Sequence, residues 1–147
     1  MKKIIISTLF SIVYFFCTAQ SESDIFGEWF NEEKDAVVTI YKDGNSISGK
    51  TTWLKEPLDS KGNAKLDLKN PDEKLRSRKR MGLKIMHSFK YNDQENIWED
   101  GRIYDPKKGK LYGGTATLVN ENELKLKGYI ISMPFLGRTA TWTRKTN

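Results

Sequence analysis

Apolar and polar residues alternate along short runs over most of this chain, and Gly, Asn, Asp and Pro separate the runs. Val, Ile, Thr, Tyr and Trp are common within them. Alternation with a period of two, bounded by turn residues, predicts antiparallel β-strands. The eight predicted strands cover residues 25–31, 36–42, 46–54, 83–91, 97–104, 110–119, 123–131 and 137–144.

The connections between these strands favour a closed barrel over a sandwich. Most are of hairpin length, and Asp43-Gly44-Asn45 is a strong hairpin signal. Hairpins pair each strand with its neighbour in sequence, and such a meander loses its exposed edges when it closes on itself. We therefore predict an all-β fold, an eight-stranded antiparallel up-and-down barrel that is wide enough to hold one small ligand.

The connection over residues 55–82 is too long for a hairpin and is rich in charge. Within it, Asn70-Pro71-Asp72-Glu73 is typical of a helix start, because Asn caps free amides, Pro suits the first helical position and acids complement the positive helix end. We predict one short helix over residues 71–78, inside a long loop that forms a lid over one mouth of the barrel.

The N-terminus has the pattern of a secretory signal peptide. Lys2 and Lys3 precede an apolar run over residues 4–16, and Cys17-Thr18-Ala19 supplies the small residues of a cleavage site. The run is shorter than the ~20 residues of a membrane span, although an uncleaved anchor is the alternative interpretation. We predict a signal peptide over residues 1–19, a single domain over residues 20–147 and an exported protein, periplasmic or secreted, that does not span a membrane.

Composition narrows the classes of partner. With 37% hydrophobic and 30% charged residues the chain is typical of a soluble globular protein. Cys17 is the only cysteine, so the predicted exported chain has neither a disulfide nor a thiol. Loss of Lys2 and Lys3 lowers the formal net charge from +6 to +4, which favours an anionic envelope surface over nucleic acid. We expect a monomer.

The most concentrated charge follows the predicted helix. This basic cluster consists of Lys74, Arg76, Arg78, Lys79, Arg80 and Lys84. Such runs are usually solvated faces, but one beside a lid also suits an anionic ligand, lipid head groups or polysaccharide. Because no aromatic residues are interleaved with these bases, we do not expect nucleic-acid binding.

Aromatic and basic residues on the strands are candidates for a binding cavity. Strict alternation places Trp98, Arg102 and Tyr104 on one face of their strand. If that face points inward, it provides apolar walls and a guanidinium for an anionic head group; if it points outward, it is a solvated face. The candidate ligand-binding residues are Trp53, Trp98, Arg102, Tyr104, Tyr112, Tyr129 and Arg138.

Residues suited to catalysis or metal binding are sparse. His87 is the only histidine, which excludes a multi-histidine metal site. The sequence has no nucleophile elbow and no phosphate-binding glycine motif. We predict no catalytic residues, no metal and no cofactor. A hydrolase would need His87 and a carboxylate, or two carboxylates, to converge, and the candidates are Asp67, Asp72, Asp100 and Asp105.

Motifs spread in order along the chain carry a family resemblance. They include Gly27-Glu28-Trp29, Trp53-Leu54, Lys69-Asn70-Pro71-Asp72, Trp98, Ile103-Tyr104-Asp105-Pro106, Gly128-Tyr129 and Arg138-Thr139-Ala140-Thr141-Trp142-Thr143-Arg144. Together they resemble the bacterial exported family known as domain of unknown function 2147. The resemblance implies a lipocalin-like β-barrel and brings no established activity. Lys79 and Arg80 depart from the family pattern, which tends to have apolar residues or proline there, and make the lid edge more basic.

Trp29 and the closing arginines also resemble the signature of the wider group of lipocalin-type barrels. In that group the Trp plugs one end of the barrel, and an Arg packs over it through a cation–π contact. The resemblance implies that Trp29 pairs with Arg144 or, as the second choice, with Arg138. Such a pair stabilises the barrel and does not bind a ligand.

Three functions remain after these observations. The leading hypothesis is an exported barrel that binds a small amphipathic or anionic molecule and performs no chemistry. The second is a barrel packed solid that acts through its basic face on envelope components or on a protein partner. The third is a hydrolase whose catalytic residues converge in the cavity.

Overall fold

Eight antiparallel strands close into a barrel in the computed structural model, which describes residues 20–146; the predicted signal peptide over residues 1–19 lies outside this range. The strands are β1 (Gly27–Phe30), β2 (Ala36–Asp43), β3 (Ser46–Leu54), β4 (Lys84–Asn92), β5 (Ile97–Asp105), β6 (Lys110–Asn120), β7 (Glu123–Ile130) and β8 (Met133–Arg144). Each pairs with its neighbour in sequence, and β1 pairs with β8. The predicted up-and-down barrel is confirmed.

Side chains fill one end of the barrel. Trp29, Phe89 and Trp98 are fully buried there, together with Met86 and Ile25. A turn of 3₁₀ helix over Glu22–Ile25 lies across this end, and its last residue, Ile25, was predicted to begin the first strand. Because these bulky side chains belong to one buried cluster, this end of the barrel has a solid core.

Arg144 closes the filled end from β8. Its guanidinium lies 4.1 Å from the centroid of the Trp29 ring. The same group donates hydrogen bonds to the carbonyl oxygens of Phe26 at 2.7 Å and Asp24 at 2.6 Å. The Trp29 indole donates to the carbonyl oxygen of Ile25 at 2.8 Å. The pairing of Trp29 with Arg144 implied by the resemblance is confirmed.

A β-bulge interrupts the alternation of β5. The register with β6 shifts between Trp98 and Gly101, and Asp100 has a φ of 58°. Gly101 faces the interior, because a Cβ placed on it would lie 2.4 Å from the Phe89 ring. Trp98 also points inward. In a regular strand, residues three positions apart point to opposite faces, so the bulge between Trp98 and Gly101 reverses the faces of the residues that follow it. The prediction that Trp98, Arg102 and Tyr104 share one face is therefore wrong.

The connection between β3 and β4 contains no α-helix. Its backbone instead forms β-bridges between Leu58 and Ala64 and between Leu66 and Lys79. The only helical turn in this connection is a 3₁₀ helix over Glu73–Leu75, and neither 3₁₀ turn within residues 20–146 is long and apolar enough to cross a membrane. Of the predicted helix over residues 71–78, only this single 3₁₀ turn forms.

The buried side of this connection explains why no longer helix forms. The Asn70 side chain accepts a hydrogen bond from the Asp72 amide, and its own amide donates to Asp67. The Asp67 backbone amide donates to the Arg78 carbonyl oxygen at 2.9 Å. These bonds turn the chain back within a few residues, so Asn70 is held in a buried polar cluster and does not cap a helix.

Candidate ligand-binding site

The end of the barrel opposite the Trp29 plug holds a cavity of about 780 Å³. This volume lies within the range of roughly 300–1,000 Å³ that small-molecule sites occupy. Val38, Leu126 and Trp142 belong both to the core and to the cavity lining, so they form its floor. Other apolar or aromatic lining residues are Ile85, Ile103, Tyr112 and Ala140.

Small residues on the inner face create this space. Gly128 lies on β7 two residues after the floor residue Leu126 and lines the cavity. A Cβ placed on Gly128 would lie 3.8 Å from the Tyr112 Cβ and 3.9 Å from the Ile103 Cδ1, so it fits there in ordinary van der Waals contact. At Gly101, by contrast, the Phe89 ring occupies the space of the missing side chain. In the filled half of the barrel, an aromatic ring therefore occupies the place of the missing glycine side chain. In the open half, that place has room for a Cβ.

Charged residues surround the mouth of the cavity, and most of them are paired. Lys107 contacts Asp35 at 2.7 Å, and Lys65 contacts Glu56 at 3.0 Å. Burial raises the pKa of Asp35, but hydrogen bonds from Lys107 and Asn31 outweigh burial and hold that pKa below its usual value. The Lys107–Asp35 pair joins the β5–β6 turn to the β1–β2 loop, whereas the Lys65–Glu56 pair lies within the β3–β4 connection. Arg138 on β8 contacts Glu32 of the β1–β2 loop.

Arg80 is a charged residue of the mouth that makes no ion pair with a carboxylate of residues 20–146. Its Nε donates to the Leu66 carbonyl oxygen at 3.1 Å, and Nη2 donates to the Pro106 carbonyl oxygen at 3.2 Å. Carbonyl oxygens orient a guanidinium without cancelling its charge. Arg80 therefore presents a fixed positive charge at the mouth. The sequence singled it out as part of a basic cluster and as a departure from the family pattern, but not as a candidate binding residue.

The predicted site residues are distributed between the cavity and other parts of the barrel. Tyr112 and Arg138 line the cavity. Tyr129 borders it, but its ring packs on Gly113, where an added Cβ would lie 2.2 Å from Tyr129 Cε2. Trp98 belongs to the filled end. The structure thus brings only part of the predicted set together.

Trp53 and Arg102 lie outside the cavity lining. Trp53 is exposed and makes an edge contact with Phe30, with the ring centroids 6.0 Å apart. Arg102 donates to the Gly101 carbonyl oxygen at 3.0 Å. Because Arg102 follows the bulge, it no longer shares the inward face of Trp98.

Tyr104 borders the cavity, while its hydroxyl anchors the β3–β4 connection to the barrel wall. The hydroxyl donates to the fully buried Asp67 carboxylate at 2.6 Å, and Arg78 donates to the same carboxylate at 3.0 Å. Burial, together with the hydrogen bond to Asp67, raises the pKa of Tyr104 to about 12. The connection predicted as a lid is therefore fixed on β5 by buried polar bonds, and it contributes Lys55, Glu56, Lys65 and Arg80 to the mouth.

The carboxylates considered for hydrolysis have other partners. Asp72 accepts from the Lys74 amide, Asp105 accepts from the Lys107 amide, and Asp100 lies 3.8 Å from Lys90. Burial and the nearby Lys84 lower the pKa of His87, which lies on β4. Within residues 20–146, no three His, Cys, Asp or Glu residues are grouped closely enough to hold a metal ion.

An eight-stranded antiparallel barrel with a plug at one end and a ligand-sized cavity at the other has the lipocalin-like fold. A solved structure with this fold is titled "Protein HP1028 from the human pathogen Helicobacter pylori belongs to the lipocalin family"; its TM-score is 0.63 at 20% sequence identity, covering 76% of this chain and 73% of that chain. At this identity the likeness shows the fold alone. A search of curated proteins gives no match.

Residues 27–144 match the family described as an uncharacterized protein conserved in bacteria (DUF2147). This match covers more than half of the chain, so the chain belongs to that family. The resemblance seen in the sequence motifs is confirmed.

Proposed function

We propose that this protein is an exported barrel that binds a small amphipathic molecule with an apolar body and an anionic head group, and that it performs no chemistry on this molecule. The observation that carries the proposal is the cavity of about 780 Å³ with an apolar floor and a charged mouth. A barrel packed solid, as the second hypothesis requires, would not contain this space. The predicted signal peptide supports export.

The distribution of polar groups indicates which way the ligand lies. The floor residues Val38, Leu126 and Trp142 offer apolar contact, and burying apolar ligand surface contributes about 25 cal/mol per Å². A charged group placed against this floor would lose its hydration without a compensating partner. The apolar body therefore lies deep and the head group at the mouth, where Arg80 can pair with an anion.

Native mass spectrometry tests this proposal. The mature chain would be produced in its native host and measured before and after mild organic extraction. We expect a bound small molecule whose mass disappears on extraction, and binding of a fluorescent fatty acid by the extracted protein. A protein that carries no molecule and binds neither anionic nor neutral amphipathic probes would contradict the proposal.

Replacing Arg80 with glutamine is expected to weaken binding of an anionic amphipathic probe about tenfold, because a charged hydrogen bond contributes about 1.5–3 kcal/mol. Binding of a neutral probe with the same alkyl chain should change little. Arg80→Lys, which keeps the charge, should retain part of the affinity for the anion. The measurement is fluorescence titration with both probes.

Arg102→Gln is the matched control for this experiment, because Arg102 carries the same group but does not line the cavity. It should bind both probes as the unmodified protein does. Equal losses for the anionic and neutral probes in Arg80→Gln would show that Arg80 shapes the mouth and does not select a head group.

A further inference from the structure

The tip of the β7–β8 hairpin exposes a group of large apolar side chains. We name Ile130, Ile131, Met133, Phe135 and Leu136 the apolar tip. Every member is exposed, and Phe135 is the most exposed at 80%. The residues from Gly128 to Gly137 include no charged side chain. Exposed apolar surface that is concentrated on one loop marks an interaction site more often than isolated exposed residues do.

The apolar tip is continuous with the cavity. Ile130 and Leu136 are exposed on the surface and also line the cavity. Ile131, Met133 and Phe135 are exposed without lining it. An apolar path therefore leads from the outer surface of the hairpin into the barrel.

Two further exposed leucines and two lysines lie beside the mouth. Leu111 and Lys110 begin β6, the strand that pairs with β7. Leu68 and Lys69 lie next to the β5–β6 turn, because a Cβ placed on Gly109 would be only 1.8 Å from the Lys69 carbonyl oxygen. Neither lysine makes an ion pair with a carboxylate of residues 20–146.

This combination of exposed apolar side chains and unpaired lysines matches the chemistry of an anionic bilayer surface. Apolar side chains enter the boundary between head groups and acyl chains, and lysines are attracted to the phosphates. A second copy of this chain is a poorer occupant for an isologous contact, because such a contact would bring the positive charges of both copies into one interface. The lysines therefore distinguish a lipid surface from self-association.

We propose that the apolar tip docks the protein on a bilayer that contains anionic phospholipids. Ile131, Met133 and Phe135 enter the interface, while Lys69 and Lys110 lie at the phosphates. Docking does not require a ligand in the barrel and goes beyond the proposed binding function. It places the mouth of the cavity against the bilayer.

Vesicle flotation tests the docking. Residues 20–147, which contain every strand of the closed barrel, would be mixed with vesicles of phosphatidylcholine alone or of equal parts phosphatidylcholine and phosphatidylglycerol. We expect stronger binding to the anionic vesicles. Phe135→Ser should lower the partition coefficient about tenfold through the loss of one inserted aromatic side chain. Lys110→Gln should weaken binding only to the anionic vesicles.

Val119→Ser and Lys125→Gln are the matched controls, because both residues are exposed on β6 or β7 away from the hairpin tip. Neither control should change binding, and circular dichroism should show that all four variants are folded. Absence of vesicle binding by the unmodified protein, or equal binding by Phe135→Ser, would overturn the proposal. The unmodified protein could instead form a dimer that the Phe135→Ser substitution dissociates, and bind no vesicles. This result would overturn the proposal in favour of a contact between two copies of the chain.

The ligand-binding proposal can fail separately from this one. Phe135 does not line the cavity, so Phe135→Ser should bind a soluble amphipathic probe normally in the absence of vesicles. Vesicle binding without any probe binding would retain the docking proposal and overturn only the proposed cavity function. Normal probe binding without vesicle docking would do the reverse.

Discussion

The variant Trp98→Ala is expected to lower the free energy of unfolding by about 3–5 kcal/mol, the usual cost of removing a buried aromatic side chain. Trp98 has no exposed surface, and its ring packs against Tyr91 with the centroids 5.0 Å apart. Its indole also donates to the Glu22 carbonyl oxygen at 3.3 Å, which ties the 3₁₀ turn over the filled end. Urea denaturation followed by fluorescence and circular dichroism would measure the change.

Arg102→Ala provides the comparison on the same strand. Arg102 is partly exposed and lies after the bulge, so its replacement should change stability by about 0.5 kcal/mol or less. A stable Trp98→Ala variant that had lost only ligand binding would contradict this assignment. That result would indicate that Trp98 lines the cavity, as the inward interpretation of strict alternation along β5 predicts.

The strands and the barrel plug could be predicted because their signals are local. Alternation and turn residues place the ends of β2 and β3 within a residue of the observed bounds. Trp29 and Arg144 are far apart in sequence, but the resemblance to lipocalin-type barrels implied that these two residues form a pair. For these features, the residues that specify the structure lie next to one another or belong to a recognisable motif.

The cavity residues were harder to predict because a single bulge changes the side to which every later residue points. Gly101 was the available signal, since glycine within a strand often marks a bulge or a close approach, and Phe89 occupies the space beside it.

The Asn70-Pro71 motif predicted a longer helix than forms, for a related reason. Its local capping signal was outweighed by the burial of Asn70 and Asp67 against Tyr104, a contact across more than thirty positions of sequence.

Filling the cavity from β7 is expected to weaken binding of an amphipathic probe about thirtyfold. In Gly128→Trp the indole would enter the cavity that Gly128 and Leu126 line, and its Cβ fits in van der Waals contact with Tyr112 and Ile103 at 3.8 and 3.9 Å. Displacing one ring-sized part of the ligand removes about 2 kcal/mol of apolar burial, which corresponds to this change in affinity. The melting temperature should stay the same or rise, because the new ring fills an apolar space. Fluorescence titration and thermal denaturation would measure the two effects.

Lys127→Trp is the matched control, because it adds the same ring to the exposed outer face of β7 one residue earlier. It should leave probe binding unchanged. Ala140→Leu fills the cavity from β8 and provides a second variant if the tryptophan at position 128 disturbs folding. Full affinity in either folded cavity variant would show that the ligand does not occupy this space. A loss in both, with binding intact in Lys127→Trp, would place the apolar body of the ligand between β7 and β8, above the Trp142 floor.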